Sequence, residues 1–129
     1  MQRILTGLAW LVALLFTGIG LRWLIQPTGS AEALGMVLLD GVGRSSQIAD
    51  LASFFLAAGL MTAVGLLRRM PVLLLAAGLM IGAAAPFRVL AWAVHGAAFT
   101  PEPILVEVVT LVVLLAAARA RGVPGEPGD

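Results

Sequence analysis

Residues 4 to 25 read ILTGLAWLVALLFTGIGLRWLI, from Ile4 to Ile25, and this stretch decides the fold class. A nearly unbroken apolar run of roughly 22 residues makes a helix about 33 Å long, which matches the hydrocarbon core of a bilayer. A secretory signal peptide is the rival reading, because Met1-Gln2-Arg3 resembles a charged leader. The run is too long for one, and no Ala-x-Ala-like cleavage site follows. The stretch is therefore read as a first membrane span.

Composition agrees with that reading. The chain has 129 residues, of which 60% are hydrophobic, and its mean hydropathy is +1.04. A soluble domain of this size could not bury so much apolar surface, so the solvent for much of it must be lipid.

Outward from the first span, Gln26-Pro27-Thr28-Gly29-Ser30 breaks the helix. Ser30-Ala31-Glu32-Ala33-Leu34 is expected to start a short surface helix capped by Ser30, with Met36 to Leu39 continuing it or lying along the interface. Gly41-Val42-Gly43-Arg44-Ser45-Ser46 reads as a second break, after which residues 47–67 form the second span with a serine capping its exposed amides. Arg68-Arg69-Met70-Pro71 is so short that the next span, 72–94, must return antiparallel beside it. Thr100-Pro101 reads as an N-cap followed by an N1 proline, and the fourth span covers about 104–118. The predicted fold is thus an all-α integral membrane four-helix bundle occupying 1–121, followed by a flexible tail over 122–129.

With four spans, Arg3, Arg68, Arg69, Arg119 and Arg121 fall on one side, which the positive-inside rule makes cytoplasmic. Both termini are then cytoplasmic, and a bacterial inner membrane is the expected location. Gly59 and Ala63, and Gly78 and Gly82, recur at the spacing that lets helices approach closely. No internal repeat of the kind seen in transporters is evident.

Several function classes are disfavoured. All eight basic residues are arginine, so lysine Schiff-base and phosphate-loop lysine chemistry is excluded. Cysteine is absent, which removes disulfides and thiol chemistry. A formal net charge of +1 without a basic stripe argues against nucleic acid. A lone histidine and dispersed carboxylates supply no metal site, and no cofactor is expected. Ser46, Asp50 and His95 do not make a Ser-His-Asp hydrolase, because Gly43-Arg44-Ser45-Ser46 is not a nucleophile elbow.

The remaining charges, Arg22, Arg44, Asp50, Arg88 and Glu107, lie toward the outer side, all within roughly 10 Å of that surface. Ser46, Asp50, Ser53 and Ala57 share one helical stripe, Arg88 and His95 another, and Glu107 stands near Thr110. Charge at that depth should face the bundle interior, so an outer-half polar pocket is expected. Such a pocket suits an amphiphile. Its anionic or polar head would meet Arg22, Arg44, Ser46, Gln47, Asp50, Arg88 and Glu107, and its tail an apolar wall of Phe54, Phe55 and Trp92.

The leading expectation is a membrane protein that binds a lipid or other amphipathic small molecule there, as an accessory subunit of a membrane-protein partner or as a homo-oligomer. Two readings stand beside it. In one, an intramembrane isomerase uses Asp50 or Glu107 as general acid/base with His95 assisting. In the other, Arg88–Glu107 and Arg22–Asp50 are ion pairs that only lock the helices together, and no cavity exists. His95 is read as an interfacial or capping residue, and Trp10, Trp23 and Trp92 as belt or packing residues.

The segment Gly43-Arg44-Ser45-Ser46-Gln47-Ile48-Ala49-Asp50-Leu51-Ala52-Ser53-Phe54-Phe55 resembles a bacterial family of small four-helix membrane proteins defined only as a domain of unknown function. The resemblance extends through Gly18-Ile19-Gly20-Leu21-Arg22-Trp23, Arg88-Val89-Leu90-Ala91-Trp92 and Val106-Glu107-Val108-Val109. It implies a four-span fold in the inner membrane and carries no activity. Small multidrug transporters share the size and helix number, but their defining first-helix glutamate has no counterpart among residues 4–25.

Overall fold

The computed structural model describes residues 1–122, whose only regular secondary structure is helix, with no strand among them. Six helices follow in order: α1 (Gln2–Ile25), α2 (Pro27–Ala33), α3 (Gly41–Leu67), α4 (Pro71–Gly82), α5 (Ala84–His95) and α6 (Pro101–Arg119). With α4 and α5 taken as one interrupted span, four helices of 24, 27, 25 and 19 residues are long and apolar enough to cross a membrane. The expected tail lies outside the described residues except for Gly122.

The bundle is built with small residues inside and large ones outside. Ala9, Ala13, Gly20, Ala52, Ala58, Gly59, Ala77 and Gly78 are buried, whereas Leu11, Leu14, Leu79 and Val112 are exposed. Lipid tails are as apolar as leucine, so between membrane helices close backbone packing replaces the hydrophobic drive, and small side chains permit it. The α1–α3 contact is the extreme case. A Cβ on Gly20 would stand 2.8 Å from the Leu56 nitrogen, and one on Gly59 would stand 2.5 Å from the Thr17 nitrogen. Gly78 and Gly82 do the same for α4 against Leu114 and Leu111 of α6. The close-approach role read from their spacing is therefore realised at Gly59, Gly78 and Gly82.

Several boundaries differ from expectation, each for a local reason. Pro27 opens α2 directly after Gln26, since a first-turn proline loses no helical hydrogen bond. Ser30 is inside that helix, its Oγ donating to the Gln26 carbonyl at 2.9 Å, and so does not cap it. The second span starts at Gly41 with Asp40 at its N-cap, so Ser45 and Ser46 are helical residues and no serine caps it. The amides of Ser45 to Gln47 consequently lie past the unpaired first turn. The fourth span gains a turn at its start, with Thr100 and Pro101 in the N-cap and N1 positions read from the sequence.

The third span is broken at Ala83, which sequence reading treated as continuous. Pro86 has no N–H to offer the Gly82 carbonyl four residues back, and its ring crowds that carbonyl. The break matters for the architecture. The helices α1, α3, α4 and α6 pack around one another, but α5 rests on α6 and the end of α4 and scarcely touches α3.

Candidate functional site

Where α5 fails to meet α3, the half of the bundle distant from Met1 and Arg121 contains a cavity of about 560 Å³. Its wall is mainly apolar and includes Phe16, Ile19, Phe54, Phe55 and Ile81. Phe55 stacks on Phe16 at a centroid distance of 5.9 Å and meets Phe54 edge-on at 5.2 Å. Leu34 and Met36 close one side from the α2–α3 connection. That connection is held in place by the α2 end, where Gly35 takes a left-handed φ of +69° and the Met36 N–H donates to the Ala31 carbonyl at 2.9 Å.

The polar part of the lining is Arg88 with Glu102 and Glu107. Arg88 Nε donates to Glu107 Oε1 at 2.7 Å, linking α5 to α6. Glu107 is only 8% exposed, and its Oε2 is buried without a hydrogen-bond partner among the described residues. Arg88 is the more open member of the pair, with 39% of its side chain exposed. The lining thus holds one arginine, paired with Glu107, and two carboxylates at the edge of an apolar chamber, so it is poor in positive charge and rich in acceptors.

The other expected site residues are engaged elsewhere. Arg22 donates to the Gly29 carbonyl at 3.2 Å and forms no pair with Asp50. Arg44 is tied to its own helix start, with Nη2 2.7 Å from Asp40 Oδ1 and Nε 2.9 Å from the Leu39 carbonyl. Gln47 holds the same connection, accepting from the Leu39 N–H at 2.7 Å and donating to the Val37 carbonyl at 3.1 Å. Short-range partners win here because a loop carbonyl a few residues away is always within reach of a long side chain.

Ser46, Asp50, Ser53 and Ala57 do form one stripe, but it is exposed and points away from the cavity. His95 is exposed at the end of α5, ahead of the left-handed Gly96 cap. Asp50, Glu107 and His95 are therefore not brought together. Phe54 and Phe55 supply apolar wall as expected, whereas Trp92 lies outside it and pairs with Phe99 at 5.3 Å. Trp23 is a fully buried packing residue between Ala31 and Ala52.

Sequence reasoning missed Glu102 and Met36 as lining residues. The signal for the cavity was present in Pro86, a helix breaker inside an apolar run. No group of three or more His, Cys, Asp or Glu able to hold a metal ion occurs among the described residues. No protein-family model, curated protein or solved structure matches this chain.

Proposed function

We propose that this small multi-pass membrane protein holds a lipid or other amphipathic molecule in the distal cavity. The observation that carries the reading is a chamber of about 560 Å³ whose apolar wall ends in the Arg88–Glu107 pair. That volume is within the ordinary range for small-molecule sites, and a few polar groups in an apolar lining is their usual composition. Glu107 Oε2 wants a donor, and Arg88, the one basic residue of the lining, is already paired with Glu107 while Glu102 adds a second carboxylate. A hydroxyl or amine head group therefore suits the site better than an anionic one.

Native mass spectrometry of gently purified protein tests this. The wild type should retain an amphiphile, and Ala84→Phe, which places a ring in the cavity, should release it while the helical content stays unchanged. Equal occupancy, or none in the wild type, would remove the reading.

We also place the protein in a bacterial inner membrane with both termini cytoplasmic, and in the family of small four-helix proteins that its Gly43–Phe55 segment resembles. The support is the arginine bias, with Arg3, Arg68, Arg69, Arg119 and Arg121 all at one end of the helices. Reporter fusions at either terminus that are active only in the periplasm would overturn that orientation.

An accessory role finds support in the outward stripe of Ser46, Asp50 and Ser53 on α3. A carboxylate on the outer face of a spanning helix is costly in lipid, and a second polypeptide would relieve it. Cross-linking from position 53 that captures only lipid would count against it.

A further inference from the structure

At the opposite end of the bundle, the start of α1 and the ends of α3 and α6 surround an open cleft of about 550 Å³. Three arginines line it, Arg3, Arg69 and Arg121, together with Gln2 and Thr6. Arg121 is held in position: Nη2 donates to Thr6 Oγ1 at 2.7 Å and Nη1 to the Ala117 carbonyl at 2.9 Å. A guanidinium has five N–H donors, so Arg121 keeps several free. Gln2 is likewise anchored, its Nε2 3.3 Å from the Ala120 carbonyl.

Among the described residues no carboxylate lines this cleft. The carboxylates of the described residues, Glu32, Asp40, Asp50, Glu102 and Glu107, are all in the distal half or its connections. Helix dipoles do not balance the arginines either. The C-termini of α3 and α6 contribute roughly half a negative charge each, and the N-termini of α1 and α4 offset them with roughly half a positive charge each. Three guanidiniums thus share one polar cleft without a counter-charge among the described residues.

We propose that this cleft binds a phosphate group. Guanidinium donors approaching from three helix ends match an anion whose oxygens point in several directions, and planar forks bind phosphate in a bidentate manner. The phosphate is either that of an anionic phospholipid, whose head group lies level with the ends of membrane helices, or a soluble phosphate. This site is independent of the distal cavity.

The test uses the full chain in neutral detergent, with phosphatidylglycerol, an uncharged diacylglycerol and inorganic phosphate as probes, read by native mass spectrometry and thermal unfolding. Phosphatidylglycerol should bind in preference to diacylglycerol. Arg3→Gln and Arg69→Gln should each weaken that binding about tenfold, and Arg44→Gln, in the other half and outside both cavities, should leave it unchanged. Neither Arg3 nor Arg69 makes a side-chain hydrogen bond to another described residue, so both variants should keep wild-type circular dichroism. If inorganic phosphate binds by itself and displaces the lipid, the ligand is a soluble phosphate. If it does neither, the ligand is the lipid head group. Absence of phosphate or phosphatidylglycerol binding overturns the proposal, as does undiminished binding when both arginines are replaced. Because Glu126 and Asp129 are present in the full chain, occupancy by the chain's own carboxylates would register as no binding and also overturn it.

Discussion

Arg88 Nε and Glu107 Oε1 stand 2.7 Å apart and join α5 to α6 at the edge of the distal cavity. This pair holds a helix that has almost no contact with α3, so its loss should be felt. Arg88→Leu leaves a buried carboxylate uncompensated and is expected to cost about 2 kcal/mol, less than for a fully buried pair because Arg88 is partly solvated. Glu107→Gln should cost less, since the amide oxygen still accepts from Arg88. The double variant Arg88→Leu/Glu107→Leu should recover most of the loss. Unfolding titrations in mixed micelles measure all three, and a double variant as weak as Arg88→Leu would contradict this account.

The α1–α3 contact predicts a sharp contrast between glycines. A Cβ on Gly59 would meet the Thr17 nitrogen at 2.5 Å and the Ala13 carbonyl at 2.9 Å, both backbone atoms that cannot swing aside. Gly59→Ala should therefore destabilise by about 2 kcal/mol or more. Gly18 of the same helix pair has nothing within 4 Å of its would-be Cβ, and Gly18→Ala should be neutral or slightly stabilising through helix propensity. Thermal unfolding of the two variants side by side decides the point.

Pro86 is expected to hold the cavity open. In Pro86→Ala a new N–H can reach the Gly82 carbonyl and continue α4 into α5. Amide exchange across residues 83–88 should slow, and retention of any amphiphile should fall. Faster exchange with unchanged retention would show that the opening has another cause.

Arg69 carries a left-handed φ of +52°, in the position where a glycine usually ends a helix, and the following Met70 N–H donates to the Gly65 carbonyl at 2.9 Å. Arg69→Gly should relieve roughly 1 kcal/mol of backbone strain, visible as a higher midpoint of unfolding without anionic lipid. The same change should weaken phosphate binding. A residue kept for its turn alone would show the first effect and not the second.

Much of this molecule is legible in one dimension. The apolar run from Ile4 to Ile25 and its three successors determine four membrane-length helices, because hydropathy summed over about twenty residues depends on composition and not on neighbours. The Thr100-Pro101 helix start, the tight turn after Arg68, and Phe54 and Phe55 as wall residues were likewise readable. The ion pair of Arg88 with Glu107 was readable too, whereas the Arg22–Asp50 pair named beside it does not form. The rest required three dimensions. Arg22, Arg44 and Gln47 are spent on nearby carbonyls and Asp40, which no depth profile distinguishes from facing a pocket. Asp50 points outward because the glycine contacts at Gly20 and Gly59 set the rotation of α3 against α1. The cleft of Arg3, Arg69 and Arg121 joins residues over a hundred positions apart, an arrangement decided by helix packing alone. Hydropathy determines that these helices lie in a bilayer; which polar groups meet depends on how each helix is turned and where it breaks, and those are properties of the packed bundle.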